Sequence, residues 1–411
     1  MLRAVLPPEL ALRTLEILGE LASRARQPGD PVRAALLAGI AETSGLHRAS
    51  LERLCDLWAR AWMPPGPERL WQRGLGHLPA DSFAPLDTVA VVAPGNLCVA
   101  TWQAVLEPLL AGCRVRVRSG SGDPLAASNL ATALGFLDAD LAARIEPSSF
   151  DRADRAGWAR WLHGTDALAI YGGDQAIAAV LHLAGEAGYA GRVRCHGEMQ
   201  SFAAIAVQAL DTPGLWHALA HDALIADGRG CMSLRLVVLV GTLQPQQERE
   251  VHDALARALA EVAARLPAGS IAPQWRAAQT LAGDACEFAA ALGQLDFTRG
   301  SDWWLASQWR PAGDRGVVAP TAAALGPGAR SLVVRAVPDW PALAALLAPM
   351  RGHLSSAALL VADAPAAAHA ACEQLGVHRL CAPGELQAPP AHRAPDGYQP
   401  LIDFVRVFDR E

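Results

Sequence analysis

Residues 1–86 carry apolar side chains at helical spacing. Leu15, Leu18 and Ala22 share one face, and Pro28-Gly29 closes that run. The pattern predicts a second helix from Pro31 to Ala41 and a third from Ser50 towards Trp62, stopped by Pro64-Pro65. Trp58, Trp62 and Trp71 are expected to pack between these helices. From Asp87 the rhythm changes. Val89 to Ala93 is a short apolar run of the buried-strand kind, followed by Pro94-Gly95-Asn96. A helix is predicted from Ala100 to Ala111, a strand from Val115 to Arg118 and a small polar loop from Ser119 to Pro124. After another helix comes a strand from Ala167 to Tyr171, and Gly172-Gly173-Asp174 then opens a helix from Gln175 to Gly185. Strand–loop–helix alternation implies a parallel sheet with helices on its faces, whose ligands bind where strand ends meet helix starts.

A second unit begins with a predicted strand from Phe202 to Val207. A helix from Gly214 to Ala226 follows, then the tight turn Asp227-Gly228-Arg229-Gly230-Cys231. Leu234 to Val240 reads as a strand, and Gln246 to Arg265 as a long helix with Pro245 just before its start. The boundary between the units is expected near residue 210. The proline-rich stretch from Ala388 to Pro400 reads as an extended surface arm.

A chain of 411 residues suits two domains, and 52% hydrophobic with 18% charged residues can bury a large core, which excludes a disordered chain. The net charge of -6 lacks the basic footprint of a nucleic-acid binder. Glu9, Arg13 and Glu16 interrupt the apolar start before a signal-peptide core forms, and no apolar run is long enough to span a bilayer. The eight cysteines lack C-x-x-C pairing, which argues against a zinc ribbon or a disulfide framework; a reducing cytoplasm is the expected home.

Cys231 follows a glycine-rich turn and precedes a strand. Backbone amides there can face a bound oxygen, and Arg229 is a nearby cation that can favour a thiolate. The other common fate of a free cysteine is a small buried hydrophobe, and pattern alone does not choose between them. Cys98, Cys113, Cys195, Cys372 and Cys381 lie in or beside apolar segments and are expected in the core. The Asn96 amide can donate to a developing oxyanion or simply suit a turn. Gly172-Gly173 can admit a phosphate to a helix N-terminus or form a plain turn. Arg118 can meet a ribose or phosphate, or be solvated. His217 and His221 share one helix face, but no third ligand accompanies them, so no metal site is expected.

Taken in order, these pieces resemble the aldehyde dehydrogenase superfamily from about Asp87 to Ala357. Val92-Ala93-Pro94-Gly95-Asn96 is similar to the strand-turn that supplies that family's oxyanion asparagine, which places Pro94 among the cofactor contacts. Val115-Arg116-Val117-Arg118-Ser119 is similar to the strand whose terminal lysine holds the adenosine ribose, a position filled here by Arg118. Ala169-Ile170-Tyr171-Gly172-Gly173-Asp174 resembles the phosphate-side turn, which makes Gly172 and Gly173 cofactor-binding candidates. Gly228-Arg229-Gly230-Cys231 is similar to the Gly-Gln-x-Cys nucleophile segment and favours Cys231 as the nucleophile. Leu354-Ser355-Ser356-Ala357 resembles the segment that returns to the cofactor domain. The implied fold is α/β and aldehyde-dehydrogenase-like, with two Rossmann-like parallel-sheet domains and a helical N-terminal region. Residues 1–86 would be that region, 87–210 the cofactor-binding domain completed by 355–411, and 211–354 the catalytic domain.

Two departures carry information. The family's dehydrogenases hold a general-base glutamate in Glu-Leu-Gly-Gly-Lys, whereas this chain reads His196-Gly197-Glu198-Met199-Gln200-Ser201. Aligned on Ser201, the base position holds His196, and Glu198 is a displaced carboxylate. The Glu-x-Phe-Gly-Pro motif is missing around Gly326-Pro327. Losing the base that activates water suits an enzyme that must avoid hydrolysis. The pattern resembles the acyl-CoA reductase branch, typified by the fatty-acyl-CoA reductase of bacterial bioluminescence operons. The ending Pro389-Pro390, Asp396-Gly397 and Leu401-Ile402-Asp403-Phe404-Val405-Arg406 fits that branch. This resemblance implies reduction of an acyl thioester, on coenzyme A or a carrier, to an aldehyde through an acyl-cysteine. It implies NADPH, on account of Arg118, with NADH as the other choice. An acyl-transferring protein partner and a homo-oligomer also follow from it. The rival readings are aldehyde oxidation with Glu198 as base, acyl-phosphate reduction, and an inactive binding subunit.

Overall fold

A computed structural model describes residues 9–79, 82–270, 272–309, 329–362 and 365–408. The chain divides into two units. The first takes residues up to 44, 51–198 and those from 388 onward; the second takes 45–50 and 199–387.

The first unit is built on five strands: β1 (Thr88–Val92), β2 (Arg114–Arg118), β3 (Ile145–Ser148), β4 (Ala167–Tyr171) and β5 (Arg192–His196). All neighbours are parallel, in the order β3-β2-β1-β4-β5. The chain steps outward from β1 to β3, then returns to the other side of β1, so strand order reverses between β1 and β4. β1 is buried along its whole length, which explains its unbroken Thr-Val-Ala-Val-Val composition in place of an alternating one. Helices Cys98–Leu110, Ala126–Gly135, Arg155–Leu162 and Asp174–Glu186 lie between successive strands.

The tryptophans pack as expected. Trp58 lies 6.2 Å from Trp62 and 5.0 Å from Trp102, and Trp71 lies 6.1 Å from Phe83. The helix expected to run to Ala41 stops at Leu37, because Gly39 turns left-handed at φ +67°; a short helix, Ile40–Ser44, follows.

The second unit holds a seven-stranded sheet: β6 (Gln200–Ala206), β7 (Leu234–Val240), β8 (Asp296–Arg299), β9 (Trp304–Gln308), β10 (Ser331–Val337), β11 (Leu354–Leu360) and β12 (Arg379–Cys381). Their order is β12-β11-β6-β7-β10-β9-β8, parallel except where β8 meets β9. Phe202, Leu236, Val238 and Leu354 meet in its core.

These ladders correct two expectations. The boundary falls between Glu198 and Met199, not near 210, because β6 bonds to β7 and β11. Residues 355–387 stay with the second unit, because β11 and β12 extend its sheet. The stretch from Ala388 to Pro400 is also more than a surface arm. Ala391 is fully buried and its carbonyl accepts from Gln103 at 3.4 Å, while Arg73 donates to the His392 carbonyl at 3.1 Å. Prolines keep this segment out of ladders, yet its carbonyls still find donors on the first unit's helices. Farther on, Val405–Val407 pairs antiparallel with Phe83–Pro85.

The loops after β1 and β2 touch through glycine alone. A Cβ on Gly120 would fall 2.5 Å from the Gly95 Cα, and one on Gly122 would fall 2.3 Å from the Gly95 carbonyl oxygen. In the same loop Asp123 is fully buried, and among the described residues the Ala126 backbone amide is the one group that answers its carboxylate. Burial pushes its pKa up to about 7. The unfolded chain releases this proton near 3.8 and the folded chain only near 7, so folded stability falls as pH rises through that window. Asp123→Asn is therefore expected to raise the Tm at pH 8, with the gain shrinking at pH 5. An equal gain at both values in thermal scans would show that the charge is not the cause.

Candidate active site

In the first unit, Pro94, Asn96, Arg118, Gly172, Gly173 and His196 all lie at the C-terminal edge of one sheet. Pro94 and Asn96 follow β1, and Gly172 and Gly173 follow β4, the two strands flanking the reversal of order. In open parallel sheets that reversal opens the crevice where ligands bind. Two bonds carry the ladders past the strand ends: Ala93 N–H donates to the Arg118 carbonyl at 2.9 Å, and Gly172 N–H to the His196 carbonyl at 3.1 Å.

Gly173 caps the helix Asp174–Glu186, and a Cβ placed on it would meet nothing within 4 Å. The first-turn amides of that helix sit at the positive end of its dipole. Asp174 in the same turn accepts the Glu198 N–H at 3.2 Å. The Arg118 guanidinium lies 5.0 Å from the Phe150 ring and 4.9 Å from the Trp158 ring, and donates to the Phe150 carbonyl at 3.1 Å. Burial, and after it the charge of Arg152, lower its pKa.

His196 is buried at the end of β5, with 4% of its surface exposed. Tyr171 stacks on the ring at 4.1 Å, and Tyr398 meets its edge at 5.3 Å. Nδ1 lies 2.5 Å from an Asp396 carboxylate oxygen. Burial pushes the imidazole pKa down, and the Asp396 hydrogen bond opposes that shift. Arg194, buried on the same strand, lies over the Tyr398 and Phe404 rings and is 3.6 Å from Glu107. Glu198 stands exposed beyond the strand end.

In the second unit, the helix expected to reach Ala226 ends at Leu224. Ala226, Asp227 and Gly228 are consecutively left-handed, with φ of 57°, 54° and 65°. Non-glycine residues cost about 1–2 kcal/mol each in that region. The buried Asp227 carboxylate offsets this cost: it takes Gly269 N–H at 3.2 Å, Arg229 at 3.2 Å and Arg330 at 3.4 Å. Arg330 also reaches the Leu224 carbonyl at 3.2 Å and Asp302 at 3.1 Å. The Arg229 guanidinium, expected to favour a thiolate, donates to Asp227 at 3.2 Å and to the Ser270 carbonyl at 3.2 Å.

Cys231 follows this clamped turn and is partly exposed. Ser201 donates to its carbonyl at 2.9 Å. Gly230 N–H donates to the Ser233 hydroxyl at 3.1 Å, and that oxygen also accepts from Gln387 at 2.9 Å. Burial pushes the other thiols up: Cys55 and Cys113 to about 12, Cys372 and Cys381 to about 11, with Cys98, Cys195 and Cys286 also raised. Of the five expected in the core, Cys98, Cys113 and Cys372 are buried, while Cys195 and Cys381 are half-buried.

His217 pairs with Glu261 at 2.7 Å, and among the described residues no group of three His, Cys, Asp or Glu side chains could hold a metal ion. Gly326-Pro327 lies outside the described residues. Sequence reasoning missed Asp396, Asp227, Arg330 and Gln387 as supports. Asp227 stood in the tight turn before Cys231 and Asp396 in the Asp396-Gly397 pair of the tail, while Arg330 and Gln387 gave no signal.

This pair of sheets, the first fully parallel and the second parallel but for one edge strand, is a fold shared with aldehyde dehydrogenases of known structure. Aldehyde dehydrogenase 21 from Physcomitrella patens, solved with succinate, shares it at a TM-score of 0.70 and 12% identity, over 96% of this chain and 85% of that one. Succinic semialdehyde dehydrogenase from Streptococcus pyogenes, solved with NADP+, gives 0.66 and 11%, over 98% and 90%. An oxidoreductase from Marinobacter aquaeolei gives 0.67 and 12%, over 98% and 86%. No curated protein matches the sequence significantly. The chain belongs to the acyl-CoA reductase (LuxC) family, which matches residues 80–407. It is thereby an oxidoreductase of the LuxC and aldehyde dehydrogenase type. Among the described residues no helix is long and apolar enough to cross a membrane.

Removing one partner of a buried ion pair costs about 3–5 kcal/mol. Asp227→Ala is expected to destabilise the second unit by about that amount and to slow alkylation of Cys231 at a temperature where the variant remains folded. Denaturant titration and timed labelling check both. Unchanged labelling would separate the clamp from the thiol.

Proposed function

We propose that this protein reduces an acyl thioester to an aldehyde with a reduced nicotinamide cofactor, using Cys231 as nucleophile. The observation that carries this reading is the setting of Cys231: a partly exposed thiol after a turn fixed by Asp227, with its own carbonyl held by Ser201. Family membership supports the substrate class.

The first unit's residues fit a dinucleotide. The space before the Asp174–Glu186 helix is open at Gly173, and the glycine turn flanks the reversal of strand order. Gly172, Gly173 and Pro94 would lie against the cofactor, and Arg118 would meet the adenosine ribose. The NADP+ of the Streptococcus pyogenes structure supports a nicotinamide. Arg118, with Arg152 nearby, favours NADPH over NADH.

The Cys231 sulfur forms a bond to the acyl carbon, and the departing thiol takes the electron pair of the C–S bond that breaks. Asn96 and the Cys231 backbone N–H hold the oxyanion. A bound reduced nicotinamide would supply a hydride to the acyl carbon of the acyl-cysteine. Collapse of the resulting alkoxide re-forms the carbonyl and returns the C–S electron pair to Cys231, and the net reduction consumes one proton, which His196 can relay. The acyl donor is coenzyme A or a carrier thioester, and a homo-oligomer in the cytoplasm completes the reading.

The test follows cofactor oxidation with a series of acyl-CoAs and trapped aldehyde. Wild type is expected to form aldehyde, and Cys231→Ala to form none. Asn96→Ala is expected to lower turnover about a hundredfold or more. No aldehyde from acyl-CoA or from a carrier thioester, with either cofactor, would refute this reading. Arg118→Ala should raise the KM for NADPH more than that for NADH; equal rises would remove the preference.

A further inference from the structure

We propose that Asp396 is a positioning residue, holding His196 with its proton on Nδ1 and its lone pair on Nε2, so that the pair acts as a buried imidazole base. The function of the pair rests on the acyl-transfer reading above; its geometry does not.

An ionised carboxylate only accepts hydrogen bonds, so at 2.5 Å from Asp396 the Nδ1 atom of His196 is the donor. In a neutral imidazole the other nitrogen then carries the lone pair. Burial lowers the pKa of this ring, which keeps it neutral near pH 7. The ring cannot turn freely, because Tyr171 covers its face with an interplanar angle of 9° and Tyr398 meets its edge at 61°. Nε2 is buried and has no hydrogen-bond partner among the described residues. A buried polar atom left so costs about 1–3 kcal/mol, which is tolerated where a lone pair is needed.

The surrounding charges support this assignment. Arg194 reaches the ring's surroundings from β5, Glu107 from the helix Cys98–Leu110, and Asp396 from the C-terminal segment. Arg194 faces two carboxylates, Glu107 at 3.6 Å and Asp403 at 3.9 Å, and Asp396 is the carboxylate bonded to the ring itself. Asp396 itself holds a left-handed backbone, φ 51°, in the short turn Pro395–Gly397. Aspartate is one of the few residues that enters this region readily.

During acyl transfer the proton balance closes without another reagent. An imidazole lone pair of this kind takes up the proton released as a thiol S–H bond breaks; a C–S bond forms to the acyl carbon, the original C–S bond breaks, and the proton returns to the departing thiolate. Asp396 steadies the transient imidazolium.

The test is 15N NMR of histidine-labelled protein, with the His196 signal assigned through His196→Gln, together with single-turnover acylation of Cys231 by an acyl-CoA at varied pH. The wild-type ring is expected as the Nδ1–H tautomer. In Asp396→Asn that preference should be lost, acylation should slow about a hundredfold or more, and Asp396→Glu should restore part of the rate. Because the Asp396 hydrogen bond raises the ring's pKa, its loss should move the acid limb of the rate profile to lower pH. A wild-type ring protonated at Nε2 alone overturns the proposal, as does an Asp396→Asn protein with unchanged tautomer and rate profile. If the tautomer shifts but no acyl-CoA acylates Cys231, the positioning stands and the thioester reading fails.

Discussion

Parallel pairing is the constraint on which the first unit depends. Parallel strands all end at the same edge, so every crossover must deliver its loop there. That single rule gathers Pro94, Asn96, Arg118, Gly172, Gly173 and His196 from a span of more than a hundred residues. The edge remains crowded only because the loops approach through Gly95, Gly120 and Gly122, where any side chain would collide with backbone. In the same loop Asp123 is fully buried, which disfavours its charged form.

Buried charge recurs where backbone or ring geometry is unusual. Asp227 and Arg330 brace three left-handed residues ahead of Cys231, and Asp396 braces His196. In both places a charged group inside the protein gives little net stability by itself, yet breaking one partner leaves an uncompensated charge. Such pairs specify a geometry more than they strengthen a fold. Arg194 follows a variant of this pattern: its charge faces Glu107, and aromatic rings cover the rest of the guanidinium.

Much of this was legible along the chain. The strands Ala167–Tyr171 and Leu234–Val240 coincide with their predicted limits, because each is an apolar run bounded by glycine or polar turns. The glycine pair after β4 and the cysteine after its turn announced candidate positions for the same reason: local spacing encodes local geometry. Sheet membership was not local. The partners of β6, β11 and β12 are set by ladders between distant segments, so the boundary at 198 and the return at 388 could not be read from periodicity. Asp396 lies 200 residues from the ring it holds, and the Asp227–Arg330 pair joins residues 103 apart.

The separation of His196 from Asp396 also orders events in time. A polypeptide grows from its N-terminus, so the imidazole and the Cys231 turn are both made well before residue 396. Until the closing segment is synthesised and laid onto the first unit, the ring has no carboxylate to fix its tautomer, and the short ribbon of Phe83–Pro85 with Val405–Val407 cannot form. A molecule cut between residues 231 and 396 would keep the thiol while losing the carboxylate that meets His196.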